Sequence, residues 1–246
     1  MDDILEVRGL RVWFPVRKGV FSRTVDHVKA VDGVSFSMRR GETLGVVGES
    51  GSGKTTVARV IAGLQRPTGG EVSLRGRVGM VFQDPLGSLN PRMTVRAALD
   101  EVPGGADAAR LVEMVGLDAS ALDKYPHEFS GGQRQRICIA RAIAAAPDLL
   151  VCDEAVSALD LAIRSQVLDL LADLKSRLGL SLLFITHDIG VVQHIADRIV
   201  VMHRGRIVES GGCDRVIGSP RADYTRYLIA SVPRIGKPLE EDNATG

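Results

Sequence analysis

Residues 43–64 read "TLGVVGESGSGKTTVARVIAGL", and the way this stretch is parsed decides the fold. Thr43 to Val47 is a short, largely β-branched apolar run ending at Gly48, the pattern of a buried strand. From Lys54 to Leu64 the apolar residues return at helical spacing. Between the two lies Gly48–Thr55, "GESGSGKT", which fits G-x-x-x-x-G-K-[ST]. Strand, glycine loop and helix therefore stand in the order that a phosphate-binding loop requires. In such a loop Gly48, Gly51 and Gly53 let backbone N–H groups wrap a β-phosphate, and Ser50, Ser52 and Thr56 complete the cradle. Lys54 reaches the β- and γ-oxygens, and the Thr55 hydroxyl is a ligand for Mg²⁺.

Upstream, "ILEVRGLRVWF" and "AVDGVSFSMRRGET" read as strands with a turn at "RRGE". Downstream, "EVSLRG", "RVGMVFQ", "DLLVCDE" and "SLLFITH" read as further strands. Positions 167, 171, 174 and 178 place Val, Leu, Leu and Leu on one face of a helix over 162–178, which Gly179 ends. "RIVVMHRGRIVESG" reads as a hairpin around Arg204-Gly205. Strands alternating with helices predict an α/β core with a mostly parallel sheet over 1–83 and 147–235. Strand signals vanish between about 84 and 146, which predicts an inserted helical subdomain. The polar end, 236–246, is expected to be a disordered tail.

Charge and composition narrow the partners. With 31 basic and 30 acidic residues the formal net charge is +1, without the basic excess of a nucleic-acid-binding protein. Three widely spaced cysteines suggest neither a disulfide framework nor a zinc site, which fits a reducing cytoplasm. "MDDILEVRG" lacks the features of a signal peptide, and the longest apolar stretch is broken by carboxylates. Membrane association would have to come through a partner.

Other residues gain meaning beside the phosphate loop. "LLVCDE" delivers Asp153 at a strand end to the Mg²⁺ shell, and Glu154 can polarise an attacking water. Gln83, after "VGMVF", can donate to water and accept from Mg²⁺ without adding charge. His187 ends "LLFITH" and could donate a hydrogen bond to a γ-phosphate. Alone, either would read as an ordinary solvated strand end. His27, His127, His194 and His203 belong to no such constellation. "FSGGQRQR" (129–136) sets Ser130, Gly131 and Gly132 before a helical run, a second glycine-rich helix start suited to an anion.

Together, "GESGSGKT", Gln83, "FSGGQ", "CDE" followed by "SALD", and His187 resemble, in this order, the ATP-binding subunits of ABC transporters. The likeness runs from Leu5 to about Pro233. It implies a single ATPase domain over 1–235 with a P-loop NTPase (RecA-like) core, an N-terminal antiparallel β region and a helical subdomain carrying the "FSGGQ" signature. It implies ATP and Mg²⁺ as cofactors, with Lys54, Gln83, Glu154 and His187 catalytic, and Thr55, Gln83 and Asp153 at the metal. Two such domains pair head to tail in the family, so Ser130, Gly131, Gly132 and Gln133 would cap ATP held by the opposite subunit. Asp160 in "SALD" would lie at that interface. An aromatic near the N-terminus stacks on adenine in the family. The strand pattern makes Phe14 the first candidate and Trp13 the second.

"FQDPLGSLNPRMTV", "DEAVSALD" and "YTRYLIASVP" look like the oligopeptide/dipeptide (and nickel) importer branch, and "FPVRKGVFSRTVDHVKAVDGVSF" is similar to its F-type subunit. The resemblance then implies a D-type or identical partner ATPase, two transmembrane permease subunits and, indirectly, an extracytoplasmic binding protein. The location would be peripheral, on the cytoplasmic face of the cell membrane. Ala155 stands where the family has proline. The segments Glu71–Gln83 and Val95–Leu111 are short for this branch.

Overall fold

The computed structural model describes residues 2–18, 23–104 and 107–231; the expected disordered tail at 236–246 lies outside them. Two long strands open the chain, β1 (Asp3–Lys18) and β2 (Arg23–Arg39), paired antiparallel from Asp3↔Arg39 to Lys18↔Arg23. After the turn at Arg40-Gly41 comes β3 (Thr43–Val47), buried at every position. Helix α1 (Lys54–Ile61) is shorter than the run of apolar spacing predicts, because Ala62 caps it and Gly63 turns the chain at φ 74°. Strand β4 (Gly69–Leu74) returns to pair with β1, giving a three-stranded antiparallel sheet of order β2-β1-β4.

Strand β5 (Val78–Val81) ends two residues before Gln83, so the glutamine stands in the following loop and not at a strand end. From there to residue 144 the regular elements among the described residues are all helical. Helices α2 (Pro85–Ser88), α3 (Val95–Asp100) and α4 (Ala108–Met114) come first, then two 3₁₀ turns at Ala119–Asp123 and Pro126–Glu128, then α5 (Gly131–Ala144). The α/β alternation resumes with β6 (Leu149–Asp153), α6 (Leu161–Leu178), β7 (Ser181–Thr186), α7 (Ile189–Ile195) and β8 (Arg198–His203). Strand β9 (Arg206–Gly212) and helices α8 (Cys213–Gly218) and α9 (Asp223–Ala230) close it.

The larger sheet has the order β5-β6-β7-β3-β8-β9, parallel except for β9. Arg204 and Gly205, at φ 49° and 78°, make the two-residue turn that brings β9 back antiparallel. Its central strands β3, β6, β7 and β8 are covered on both faces, which is why they read as continuous apolar runs. Leu149, Val151, Leu183 and Ile185 pack towards α1 and the antiparallel sheet. Leu150, Cys152, Leu182 and Phe184, alternating with them, pack with Ile137 and Ile139 of α5 and with Val167, Leu171 and Leu174 of α6. Leu178, expected on the same face, is exposed, because it closes the last turn just before Gly179 (φ 65°) swings the chain towards β7.

This strand order fixes the site. Strands β3, β6 and β7 are parallel, with β7 between the other two, so the loops that follow them emerge together at one sheet edge. Those loops carry the glycine motif, the Asp153-Glu154 pair and His187.

Candidate nucleotide site

The glycine loop is built for backbone contact. Gly48, Gly51 and Gly53 have φ of 154°, 81° and 102°, a region that L side chains rarely enter. A Cβ at Gly48 would meet the Met202 carbonyl, and one at Gly53 the Ala30 carbonyl. Gly53 caps α1 without a side-chain acceptor, so the first-turn N–H groups stay available to an anion. The loop is held from outside: Gly205 N donates to the Ser52 carbonyl (3.0 Å), and Glu49 N donates to the Tyr224 hydroxyl (3.0 Å).

Lys54 is only 4% exposed. Its ammonium donates to the carbonyls of Gly48 (2.7 Å) and Glu49 (2.8 Å). Burial pulls its pKa below the usual lysine range, while the carboxylates of Glu154, Asp153 and Glu49 oppose that shift. The cation is thus stored against loop carbonyls, close to where phosphate oxygens would replace them.

Asp153 and Thr55 meet directly, Thr55 Oγ1 donating to Asp153 Oδ1 at 3.0 Å. Burial raises the Asp153 pKa, the hydrogen bond from Thr55 opposes this, and the neighbouring Glu154 charge adds to the rise. A hydroxyl and a buried carboxylate are hard oxygen donors that suit Mg²⁺, which takes few protein ligands and keeps water and phosphate for the rest.

Glu154 sits at φ 50°, costly for a residue with a side chain, at about 1–3 kcal/mol. Its N–H donates to the Ile185 carbonyl (2.9 Å), and the Ser157 hydroxyl donates to its carbonyl (2.9 Å). Ala155 and Val156, both buried, pin the turn that follows. The Glu154 carboxylate is then met by Gln83 and His187, from two other loops. Gln83 Nε2 donates to Oε2 (3.0 Å), and His187 Nδ1 lies 3.4 Å from Oε1. A carboxylate oriented on both oxygens beside a phosphate loop can accept a proton from water.

Lys54, Thr55, Gln83 and Glu154 line a cleft of about 440 Å³ together with Phe14, Val28, Ala30, Ser50, Gly51, Gly53 and Thr56, while Asp153 and His187 stand behind this lining, in contact with Thr55 and Glu154. Its size is that of a small-molecule site. Phe14 is 41% exposed on it. Trp13 faces the other way, with Lys29 Nζ 4.7 Å above its ring and His27 at 6.4 Å. Of the two aromatics, only Phe14 lines the cleft.

The signature segment stands apart. Ser130 caps α5, its Oγ accepting from Gln133 N (3.3 Å), while Gln133 Oε1 accepts from Ser130 N (3.0 Å). Ser130, Gly131 and Gln133 are exposed, whereas Gly132 lies buried against Ile163 of α6. Asp160 caps α6 through Ile163 N (2.9 Å) and is exposed too. None of these five is among the residues lining the cleft. Sequence reading missed Val28 and Ala30, which look like ordinary strand residues. It also missed Tyr224, whose hold on Glu49 spans 175 positions.

Comparison with known proteins gives the family and the fold. A family model described as "ABC transporter" matches residues 31–157. An oligopeptide transport ATP-binding protein of Bacillus subtilis is 44% identical, across 94% of this chain and 79% of that protein. A dipeptide transport ATP-binding protein of Escherichia coli is 43% identical, across 95% and 78%. Among solved structures, the dimeric post-hydrolysis state of the ATP-binding cassette MJ0796, bound to ADP and Pi, superposes with a TM-score of 0.72. It is 25% identical and covers 85% of this chain and 98% of that one.

Proposed function

Because the chain belongs to the ABC transporter family, as an ATP-hydrolysing, ATP-binding subunit, we propose that its ATP turnover drives import of oligopeptides or dipeptides through two permease subunits. The observation that carries this reading is the meeting of three loops on one carboxylate. Gln83 and His187 hold Glu154 beside a phosphate cradle that contains Lys54. The cargo class follows the named activities of the two relatives.

Each residue has a part in that reaction. The backbone N–H groups of Ser50–Thr56 bind the phosphates, and Lys54 exchanges its loop carbonyls for β- and γ-oxygens. Phe14 stacks on the adenine ring. Thr55 and Asp153, with the Gln83 amide, would hold Mg²⁺, which when bound neutralises charge on the phosphate oxygens. Glu154 takes the proton of the attacking water, and His187 donates to the γ-phosphate.

The exposed Ser130, Gly131 and Gln133 of the signature, with Gly132 behind them and Asp160 nearby, face a second ATPase subunit, either a D-type chain or another copy, and cap its nucleotide. The helical segment, about 84–146, is a subdomain that receives the permease. A cleft there of about 410 Å³, lined by Leu86, Leu89, Met93, Ala98 and Glu101, offers the exposed Leu86 side chain to it. Among the described residues no helix is long and apolar enough to cross a membrane. Attachment at the cytoplasmic face would therefore run through the permeases, with the extracytoplasmic binding protein acting beyond them.

The test is ATP turnover by the protein, alone and with its permeases, against Lys54→Ala. Hydrolysis and ATP affinity should both collapse in the variant, which lacks the buried cation of the cradle. Turnover that survives it would remove the cleft from the chemistry.

A further inference from the structure

Arg164, near the start of α6, bridges the segment that follows Glu154 and the loop that carries His187. Its Nη2 donates to the Leu159 carbonyl in "SALD" (3.2 Å), and its Nη1 donates to Asp188 Oδ2 (2.8 Å). Asp188 directly follows His187. Its other oxygen, Oδ1, accepts from Gly190 N (2.9 Å) and Val191 N (3.4 Å) at the start of α7, so each carboxylate oxygen has a separate task. Asp188 N in turn donates to the hydroxyl of the buried Thr186 (3.0 Å). The backbone around His187 is thus clamped on one side by β7 and on the other by a carboxylate in Arg164's grip.

This is not an ordinary surface ion pair, whose long side chains gain little from meeting in water. The two side chains are 21% and 31% exposed, and Arg164 Nε is buried with no partner. A guanidinium placed so that one donor goes unsatisfied is kept there by its other contacts. A second pair between the same two helices, Asp169 with His194 at 3.5 Å, provides the contrast. It is exposed on both sides and touches neither loop.

We propose that Arg164 is a positioning residue that ties the "SALD" turn to His187, so that the turn's contact with a partner subunit sets where the histidine stands beside Glu154. The link rests on the nucleotide-site reading above and adds a route into it. When a partner moves the Leu159 peptide, Arg164 carries the displacement to Asp188, and the His187 ring, 3.4 Å from Glu154, follows. In the single subunit the bridge keeps the ring beside Glu154.

The experiment compares steady-state ATP hydrolysis, ATP affinity and melting temperature for the full chain with the partners needed for turnover. Misplacement of a catalytic group by about 1 Å can cost about 10²-fold. Arg164→Gln should therefore lower kcat by roughly 10- to 100-fold with KM for ATP little changed, because the phosphate cradle is untouched. Arg164→Lys, which can reach only one of the two acceptors well, should recover part of the loss. Asp188→Asn keeps the cap on α7 but loses the charge. It should match Arg164→Gln, and the double variant should be no worse than either alone. Asp169→Asn should leave kcat unchanged. Equal loss in Asp169→Asn, additive losses at Arg164 and Asp188, or near-native kcat in Arg164→Gln would each overturn the link. Wild-type turnover insensitive to Lys54→Ala would instead defeat the nucleotide-site reading, and this proposal with it.

Discussion

Two buried titratable groups of opposite charge type, Lys54 and Asp153, stand at the phosphate loop. Burial lowers the pKa of the first and raises that of the second, so the surroundings of each work against its charged form. For Asp153 the sign is definite. A carboxyl whose folded pKa lies above its ordinary 3.8 contributes stability below that value, lost as pH rises through the folded pKa. Asp153→Asn mimics the protonated form and can keep a partner for the Thr55 hydroxyl. It should raise the melting temperature of the nucleotide-free protein at pH 7, with a gain that shrinks towards pH 4 as the wild-type carboxyl protonates. Differential scanning fluorimetry at the two pH values reads this directly. A lower melting point at pH 7 would mean that Asp153 is better satisfied in the empty cleft than its burial implies. The same variant should hydrolyse ATP poorly, an exchange of function for stability common at such sites.

At the scale of the elements, the two glycines that open α5 do different work. Gly131 has open space around it, its nearest neighbour for a Cβ being Leu159 at 3.9 Å, whereas a Cβ on Gly132 would press into the Ile163 side chain of α6. Gly132→Ala should therefore loosen α5 from α6 and cost about 1–3 kcal/mol of stability, read by chemical denaturation. Gly131→Asp is the cleaner probe of function, because it adds a carboxylate to the exposed helix start without crowding the fold. Such a charge should leave ATP binding to the single subunit nearly intact and suppress hydrolysis by about 10²-fold or more, the usual loss when a donor to developing charge is spoiled. Equilibrium dialysis beside turnover separates the two effects, and parallel loss of both would mean that α5 serves its own subunit's nucleotide. Sequence pattern discloses much at this scale. The strand, glycine loop and helix around Lys54, the hairpin at Arg204-Gly205 and the positions of Asp153 and Glu154 all follow from local periodicity and turn chemistry. Contacts between distant segments were not legible. Nothing near Gln83 says that its amide reaches Glu154, 71 positions away, and nothing near Arg164 says that Asp188 will be its partner. Leu178 shows the same limit, since helical spacing assigns a face but not where the underlying sheet ends.

For the whole molecule, the described chain holds one complete phosphate cradle and one signature helix start that does not reach it. Hydrolysis by the proposed route needs a second subunit to supply the missing half of each site, so catalysis and association should be inseparable. Glu154→Gln tests both together. The glutamine keeps the side chain's size and can still pair with Gln83 and His187, but it cannot take a proton from water, which costs about 10²–10⁴-fold in rate when a general base is lost. Replacing the carboxylate also removes a negative charge beside Lys54 and Asp153, where a polyphosphate must enter and where closure brings two nucleotides near each other. The variant should bind ATP, turn it over very slowly and accumulate as an ATP-dependent dimer, with itself or with a D-type chain. Size-exclusion chromatography with multi-angle light scattering, with and without MgATP, distinguishes the outcomes. Near-native turnover would take Glu154 out of the proton transfer. An inactive variant that stays monomeric at saturating ATP, even beside a candidate partner, would show that closure does not depend on the state of this carboxylate. The exposed signature at Ser130 and Gly131 would then need a partner other than a second nucleotide.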